Sequence, residues 1–504
     1  MWNPESLLLG LELAFSWEML LWLALGFTSG LLVGAIPGLV ESTFLAVMLP
    51  FTIYMDVWSA IFFMTGGYVA SEAAGSYPAI LLNMPGTPSA SATTFEGYAL
   101  TKKGLPGQAI GVSVTSSAIG TFFGALLFMF LGPLFGKFAF NFNSPEMFML
   151  AVFGLTAVAS LTGADPVKGL ISALLGLLIA TTGLDLFNAL PRATFGFLEI
   201  YDSIPLLPAL LGLFGFSEIL VLCNRPSIIG GQGIVYKGLS APLEGVRIAL
   251  GYPFVILRST IIGLLVGIIP GAGGTAANVI SYGQAKQWSR HPEKFGKGTF
   301  EGLVATDTSN NAVIPGALIP TLTLGIPGSP TTVVFLAALM LQGIRPGPGF
   351  YESYATQAYS IGFGLMICSV LVMVVGLPLA GTFARVAFVP TRILVPLISV
   401  ACIIGVFSSR QYLIDIQIMV LFGVLGFIVK RYGYSPVALL LGLILGSLLE
   451  DNFYRSLMVG GPEIFFTKPI ALGLMLLSVL SLALPVALRY VAKGRTANSS
   501  RELN

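Results

Sequence analysis

Charge is what this sequence is shortest of. Only 10% of its 504 residues are Asp, Glu, Lys or Arg, and 25 Lys plus Arg stand against 23 Asp plus Glu. A formal net charge of +2 is too small to gather a nucleic-acid backbone. Histidine occurs once, as His291 in a basic loop, which argues against a histidine proton relay. The three cysteines, Cys223, Cys368 and Cys402, stand in apolar segments at spacings that match no metal site. With no acids paired at helical spacing either, an intramembrane enzyme lacks its nucleophile, base and metal ligands, so no cofactor is expected. The opening stretch MWNPESLLLG holds neither Lys nor Arg and does not read as a cleaved signal peptide.

What is present is apolar. Hydrophobic residues make up 55% of the chain and mean hydropathy is +0.88, the balance of a multi-spanning membrane protein. Apolar runs of spanning length recur from Trp17–Ile36 to Ile470–Tyr490, and the total predicts about 11–14 membrane-embedded elements. Two regions, Leu39–Tyr98 and Ala272–Ile344, are apolar but studded with Gly, Pro, Ser, Thr and Asn. Short helices and re-entrant hairpins are expected there, because irregular backbone survives at membrane depth only where protein or a watery cavity meets it. The expected fold is an all-α polytopic membrane protein.

The chain repeats itself once. GLLVGAIPGL (Gly30–Leu39) returns as GLLVGIIPGA (Gly263–Ala272), 233 residues on. Pro85-Gly86-Thr87-Pro88 returns as Pro327-Gly328-Ser329-Pro330, 242 residues on, and Pro78 and Pro320 share that offset. Pro166-Val167 matches Pro436-Val437, and Gly176 matches Gly446. Equivalent loops carry opposite charge bias. The second Gly-Pro break is followed by the basic run Lys286–Lys297, whereas the first is followed by Pro50–Ser59 with no positive charge. Two inverted-topology repeats with broken helices follow, an architecture of secondary transporters. The expected division is 1–223 for the first repeat, 224–249 for an interfacial connector, 250–492 for the inverted second repeat and 493–504 for a cytoplasmic tail. Lys and Arg bias places Lys286–Gly298, Thr101–Gly104 and the C-terminus inside, and the N-terminus and Phe140–Glu146 outside.

A Pro-Gly pair inside a membrane helix removes a backbone donor and leaves half-helix ends at mid-membrane. Amino ends suit carboxylates and freed carbonyls suit Na⁺. Candidate substrate-binding residues are therefore Pro37, Gly38, Ser42 and Thr43 at the first break and Pro270, Gly271, Gly273 and Thr275 at the second, with Asn278 nearby. Asn83, Pro85, Gly86 and Thr87 mark the first PGTP. Asn310, Asn311, Pro327, Gly328, Ser329 and Thr331 mark its counterpart, with Ser89 and Thr332 flanking. The four-residue spacing of Gly26, Gly30 and Gly34 is a helix-packing stripe. Acids in apolar surroundings are functional suspects. Glu72 and Asp307 are candidates for the coupling ion, Asp307 alternatively a helix-end charge. Glu41, directly after the first break, either repels an anion or caps the half-helix. A channel or a cation/proton antiporter shares this architecture but would want an ionisable dyad in one helix, which the sequence lacks.

The block from Gly263 to Phe350, with ILLNMPGTPSASATTFEGYALTKKG and GLDLFNALPRATFG, strongly resembles the large membrane subunit of the tripartite tricarboxylate transporters, the TctA type. The likeness runs from about Trp17 to Ile470. It implies a bacterial inner-membrane symporter that imports carboxylates on a Na⁺ or H⁺ gradient. It also implies two partners: a small membrane subunit of about four helices and a periplasmic solute-binding protein. The matching positions are Pro37-Gly38, Asn83, Pro85-Gly86-Thr87, Pro270-Gly271-Gly273, Asn310-Asn311 and Pro327-Gly328-Ser329. The chain departs from the family pattern at Val40 and Glu41, around Gly67–Ser76, and at Asp307, where Glu is usual. These departures fall at the predicted site.

Overall fold

The structure, a computed structural model, describes residues 3–162, 165–185, 188–223, 238–383 and 389–483. The tail 493–504 and most of the connector 224–249 lie outside the described residues. Apart from single-turn helices, the elements are α1 Pro4–Ala14, α2 Trp17–Gly34, α3 Glu41–Thr52, α4 Val57–Ala74, α5 Ser76–Leu82, α6 Thr93–Lys102, α7 Pro106–Ala139, α8 Ser144–Thr162 and α9 Pro166–Ala180. They continue as α10 Leu206–Cys223, α11 Ser240–Leu250, α12 Pro253–Ile268, α13 Gly273–Trp288, α14 Phe300–Leu324, α15 Pro330–Leu341 and α16 Ala355–Thr382. The last are α17 Thr391–Arg410, α18 Leu413–Arg431, α19 Pro436–Gly460 and α20 Pro469–Ala483. Among the described residues the only sheet is a two-residue antiparallel pairing of Gly183–Leu184 with Pro191–Arg192.

Local chemistry sets the helix starts. Proline stands at the first position of α1, α9, α12, α15 and α19, where its missing N–H costs nothing. Asn3 and Asp56 cap α1 and α4 with their side-chain oxygens. Among the described residues, eight helices are long and apolar enough to cross a membrane, nine if α11 and α12, bent by 81°, count as one span. The expected 11–14 embedded elements exceed this for a physical reason. α4 and α14 are long enough but too polar in composition to pass, while α9 and α15 are apolar but short.

The chain shows apolar side chains outward. On α12, Leu257, Ile261 and Leu265 are exposed along one face, while Gly263 and Gly267 on the other press against α14. The glycine stripe of α2 does the same against α4: a Cβ on Gly30 would lie 2.4 Å from the Gly67 carbonyl oxygen. This is close packing through small residues, as in bilayers.

Packing divides the chain into two compact units. The first comprises Met1–Ala139 and Leu207–Val424, the second Phe140–Leu206 and Leu425–Asn504. Each draws one stretch from either side of the connector. Within the second, α8 and α9 pack on α19, and Arg192 forks onto Glu450 with bonds of 2.7 and 3.0 Å. Within the first, α14 lies at the centre against α7, α12 and α13, and is buried at every position from Gly302 to Thr323.

Candidate functional site

The first unit contains both breaks. α2 ends at Gly34, the chain turns through Pro37-Gly38, and α3 begins at Glu41. α12 ends at Ile268, the chain turns through Pro270-Gly271, and α13 begins at Gly273. Gly38 has φ +94° and Gly271 φ +76°, a left-handed backbone that favours glycine at both corners.

Both Pro-Gly hairpins share one construction. α5 ends on Asn83 at φ 58° and α14 ends on Gly325 at φ 70°. The next N–H, of Met84 or Ile326, donates to Pro78 or Pro320 at 3.3 Å. The motif glycine then lies against the helix that precedes the break in the same half. A Cβ on Gly86 would fall 2.4 Å from the Gly34 carbonyl oxygen, and one on Gly328 would fall 2.3 Å from that of Gly267. No side chain fits there. Thr87 accepts from the Ala90 N–H at 3.3 Å, and Ser329 from the Thr332 N–H at 3.2 Å.

Beyond the hairpins the two halves cross. Thr331, at the start of α15, donates to Glu41 at the start of α3 at 2.8 Å. Its counterpart 242 residues earlier is Ser89, and Ser89 meets the second break. A Cβ on Gly274 would come within 2.8 Å of the Ser89 Cβ, and Asn278 Nδ2 donates to the Ser89 carbonyl at 2.8 Å. Gly274 is itself the counterpart of Glu41, 233 residues on. Each break therefore rests on the hairpin of the other half.

A buried polar cluster lies at this crossing. Thr306 to Asn311 form six consecutive polar residues of α14, none more than 1% exposed. Asn278 is the hub: its amide donates to Asn310 Oδ1 at 2.8 Å, and its carbonyl accepts from Ser309 at 2.8 Å. Tyr68 bonds Ser329 at 3.1 Å, and Glu72 accepts from Ser89. A second group forms around Asp307, which accepts from Thr93 at 2.5 Å and Ser76 at 3.2 Å, with Ser113 beside it. Asn311 donates to Thr121 of α7 at 3.3 Å. Several buried atoms have no partner: Glu41 Oε2, Thr43 Oγ1, Asp307 Oδ2, Asn310 Nδ2 and Asn311 Oδ1. Buried polar atoms are normally satisfied, so such a concentration makes the crossing the candidate site.

Glu41, Ser42, Thr43, Thr87, Pro270, Gly271, Gly273, Asn310, Asn311, Pro327, Gly328, Ser329 and Thr331 are all buried around the crossing, and Pro37 and Gly86 are buried beside them. Asp307 lies in the third turn of α14, so it is no helix-end charge. Two candidates sit differently. Asn83 is exposed and supplies a left-handed cap, a backbone duty that Gly325 performs in the other half. Thr275 is exposed on α13 and takes no part in these bonds. Sequence reading missed Tyr68, Ser76 and Thr93. The repeat offset would have found Tyr68, since it pairs that residue with Asn310. Sequence reading placed Glu96 of α6 nearer a loop and gave it no role; it accepts from the backbone N–H groups of Gly298 and Thr299 at 2.7 and 2.8 Å and from Tyr282 at 2.7 Å. Lys103 donates to the Gly298 carbonyl at 3.0 Å, so the loops 101–104 and 286–298 lie side by side.

No solved structure matches the chain. An uncharacterised 52.8 kDa protein in the TAR-I ttuC′ 3′ region of Agrobacterium vitis is 34% identical over 479 residues, 94% of each chain. An uncharacterised protein in the TAR-II ttuC′ 3′ region of the same organism is 36% identical over 228 residues, 44% of this chain and 94% of its own. The model of the tripartite tricarboxylate transporter TctA family matches residues 20–441. The chain is a multi-pass membrane protein of the TctA family, the large subunits of tripartite tricarboxylate transporters.

Proposed function

We propose that the chain forms the translocation path of a binding-protein-dependent secondary transporter. It imports di- or tricarboxylate-type organic anions across a bacterial inner membrane, driven by a cation gradient, Na⁺ or H⁺. The observation that carries this reading is the crossing, where each interrupted helix meets the other half's Pro-Gly hairpin over buried amides and hydroxyls. Neutral donors in a dry site hold an anion without a permanent countercharge. The halves are inverted repeats, and alternating access works at their interface. A small four-helix membrane subunit and a periplasmic binding protein complete the complex, and the C-terminus is cytoplasmic. Glu72 and Asp307 serve the coupling cation.

One observation favours a second reading. Sequence spacing offered no acidic dyad, but the fold brings Glu41 and Glu72 together from different helices, which suits a cation/proton antiporter or an ion channel. Uptake of labelled citrate, tartrate and succinate into proteoliposomes holding the complete complex, with imposed Na⁺ or pH gradients, separates the two. Gradient-driven carboxylate accumulation supports the transporter. Cation flux that ignores carboxylate supports the antiporter or channel.

A further inference from the structure

Resting on that transport reading, we propose that Glu41 and Glu72 act as one proton-carrying pair, and that the proton is the cation that drives uptake. The two carboxylates come from α3 and α4 and hold equivalent residues: Glu41 accepts from Thr331, and Glu72 from Ser89. Each is thus fixed to the hairpin of one half. Glu72 stands one turn beyond Tyr68 on α4, and Tyr68 bonds Ser329, two residues before the Thr331 that holds Glu41, so both carboxylates belong to one cluster.

A second feature points to an occupant. Asn310, 1% exposed, leaves its amide nitrogen without a hydrogen-bond partner, and Glu41 Oε2 is buried without one. Donor and acceptor capacity are both left over at one place, as a proton and an anion arriving together require.

Among the described residues no cation is paired with either carboxylate. The acids on the helices packed against α3 and α4 are Glu18 of α2, Glu218 of α10 and Glu301 and Asp307 of α14. The cations are Lys137 of α7 and Arg392 of α17, both exposed, and Arg410 of α17, 3.6 Å from Asp415. Tyr77 of α5, Tyr359 and Cys368 of α16, and Cys223 of α10 and Cys402 of α17 complete the titratable groups. Two buried like charges without a counter-ion repel each other and an incoming carboxylate alike. One proton taken from outside water removes one of those charges and supplies an O–H donor. On the inner side the same proton returns to water as the anion leaves, and nothing is oxidised or reduced.

Duplication sharpens the assignment. Glu41 and Glu72 correspond to Gly274 and Ile314 in the other half, so this pair belongs to one half alone, and Asp307 is the acid of the other. Asn278, Asn310 and Asn311 belong to the second half and correspond to Leu45, Tyr68 and Val69. The crossing has an acid side for the proton and an amide side for the anion.

Infrared spectroscopy of the full chain in lipid nanodiscs tests the pair directly. The wild type is expected to show a protonated-carboxyl band at neutral pH that shifts in D₂O, persists in Asp307→Asn and disappears in the Glu41→Gln/Glu72→Gln double variant. Absence of the band from the wild type, which needs no variant to fold, overturns the pair, as does its survival in a monodisperse double variant. The coupling role is read with labelled citrate, tartrate and succinate in proteoliposomes of the complete complex. An inward proton gradient should raise accumulation at least about tenfold in the wild type, equivalent to about 1.4 kcal/mol. Glu72→Gln should still exchange internal for external substrate while losing that response. Uptake driven by Na⁺ with no response to pH overturns the coupling role. If none of the three anions accumulates under any gradient, the transport reading falls, and the infrared band still decides the pair.

Discussion

Asn278 joins three segments at once, so its loss should be felt in binding and in folding. Asn278→Ala strands Asn310 Oδ1 and the Ser89 carbonyl, and each buried group left unpaired costs about 1–3 kcal/mol. The expected outcome is a lowered thermal midpoint in detergent and carboxylate affinity reduced by at least about tenfold, equivalent to about 1.4 kcal/mol. Thr275→Ala, exposed and outside these bonds, should leave uptake unchanged. Asn83 separates a conformational role from a chemical one. Asn83→Gly should transport normally, because Gly325 fills the same left-handed position in the other half. Asn83→Val should destabilise by about 1–3 kcal/mol in a thermal-unfolding assay, since a β-branched side chain resists that backbone. Loss of transport in Asn83→Gly at unchanged thermal stability would instead give the amide itself to the substrate.

At the scale of elements, two contacts invite change. Gly86→Ala and Gly328→Ala each push a methyl into a helix carbonyl closer than real atoms approach, so the hairpin must lift from α2 or α12. Both variants should insert in the membrane and fail to accumulate substrate, an outcome read by comparing surface expression with uptake. Glu96 fastens the loop 286–298 through backbone donors, a charge-assisted arrangement. Glu96→Gln weakens it, and trypsin should then cut at Lys294 and Lys297 faster than in the wild type. The breaks, the two hairpins and the glycine stripes were legible in the sequence, because each depends on a residue whose backbone or size is unique. The crossing was not. Nothing local in Thr331 announces Glu41, since the partner is 290 residues away and the bond is an ordinary hydroxyl to a carboxylate. The role of Glu96 was hidden for the same reason: its partners include backbone N–H groups, which carry no side-chain signature. Asn83 misled because asparagine serves equally as a ligand and as a left-handed cap.

For the molecule as a whole, orientation is the expectation that a single experiment can read. In a Cys223→Ser background, Lys297→Cys should react with a membrane-impermeant thiol reagent only from the cytoplasmic side, and Asn143→Cys only from outside. The loops 101–104 and 286–298 touch, so they must share a side whichever way the chain inserts. The compact units cut across the duplication, each drawing a stretch from either side of the connector, which composition could not foretell. The crossed contacts carry a last consequence, for heredity. A substitution at Ser89 meets its answer at Gly274 and Asn278, and one at Thr331 meets it at Glu41, in each case on the opposite copy. The two copies have thereby lost their independence as evolutionary units: drift at one bend is tolerated only alongside a matching change in its distant twin's hairpin.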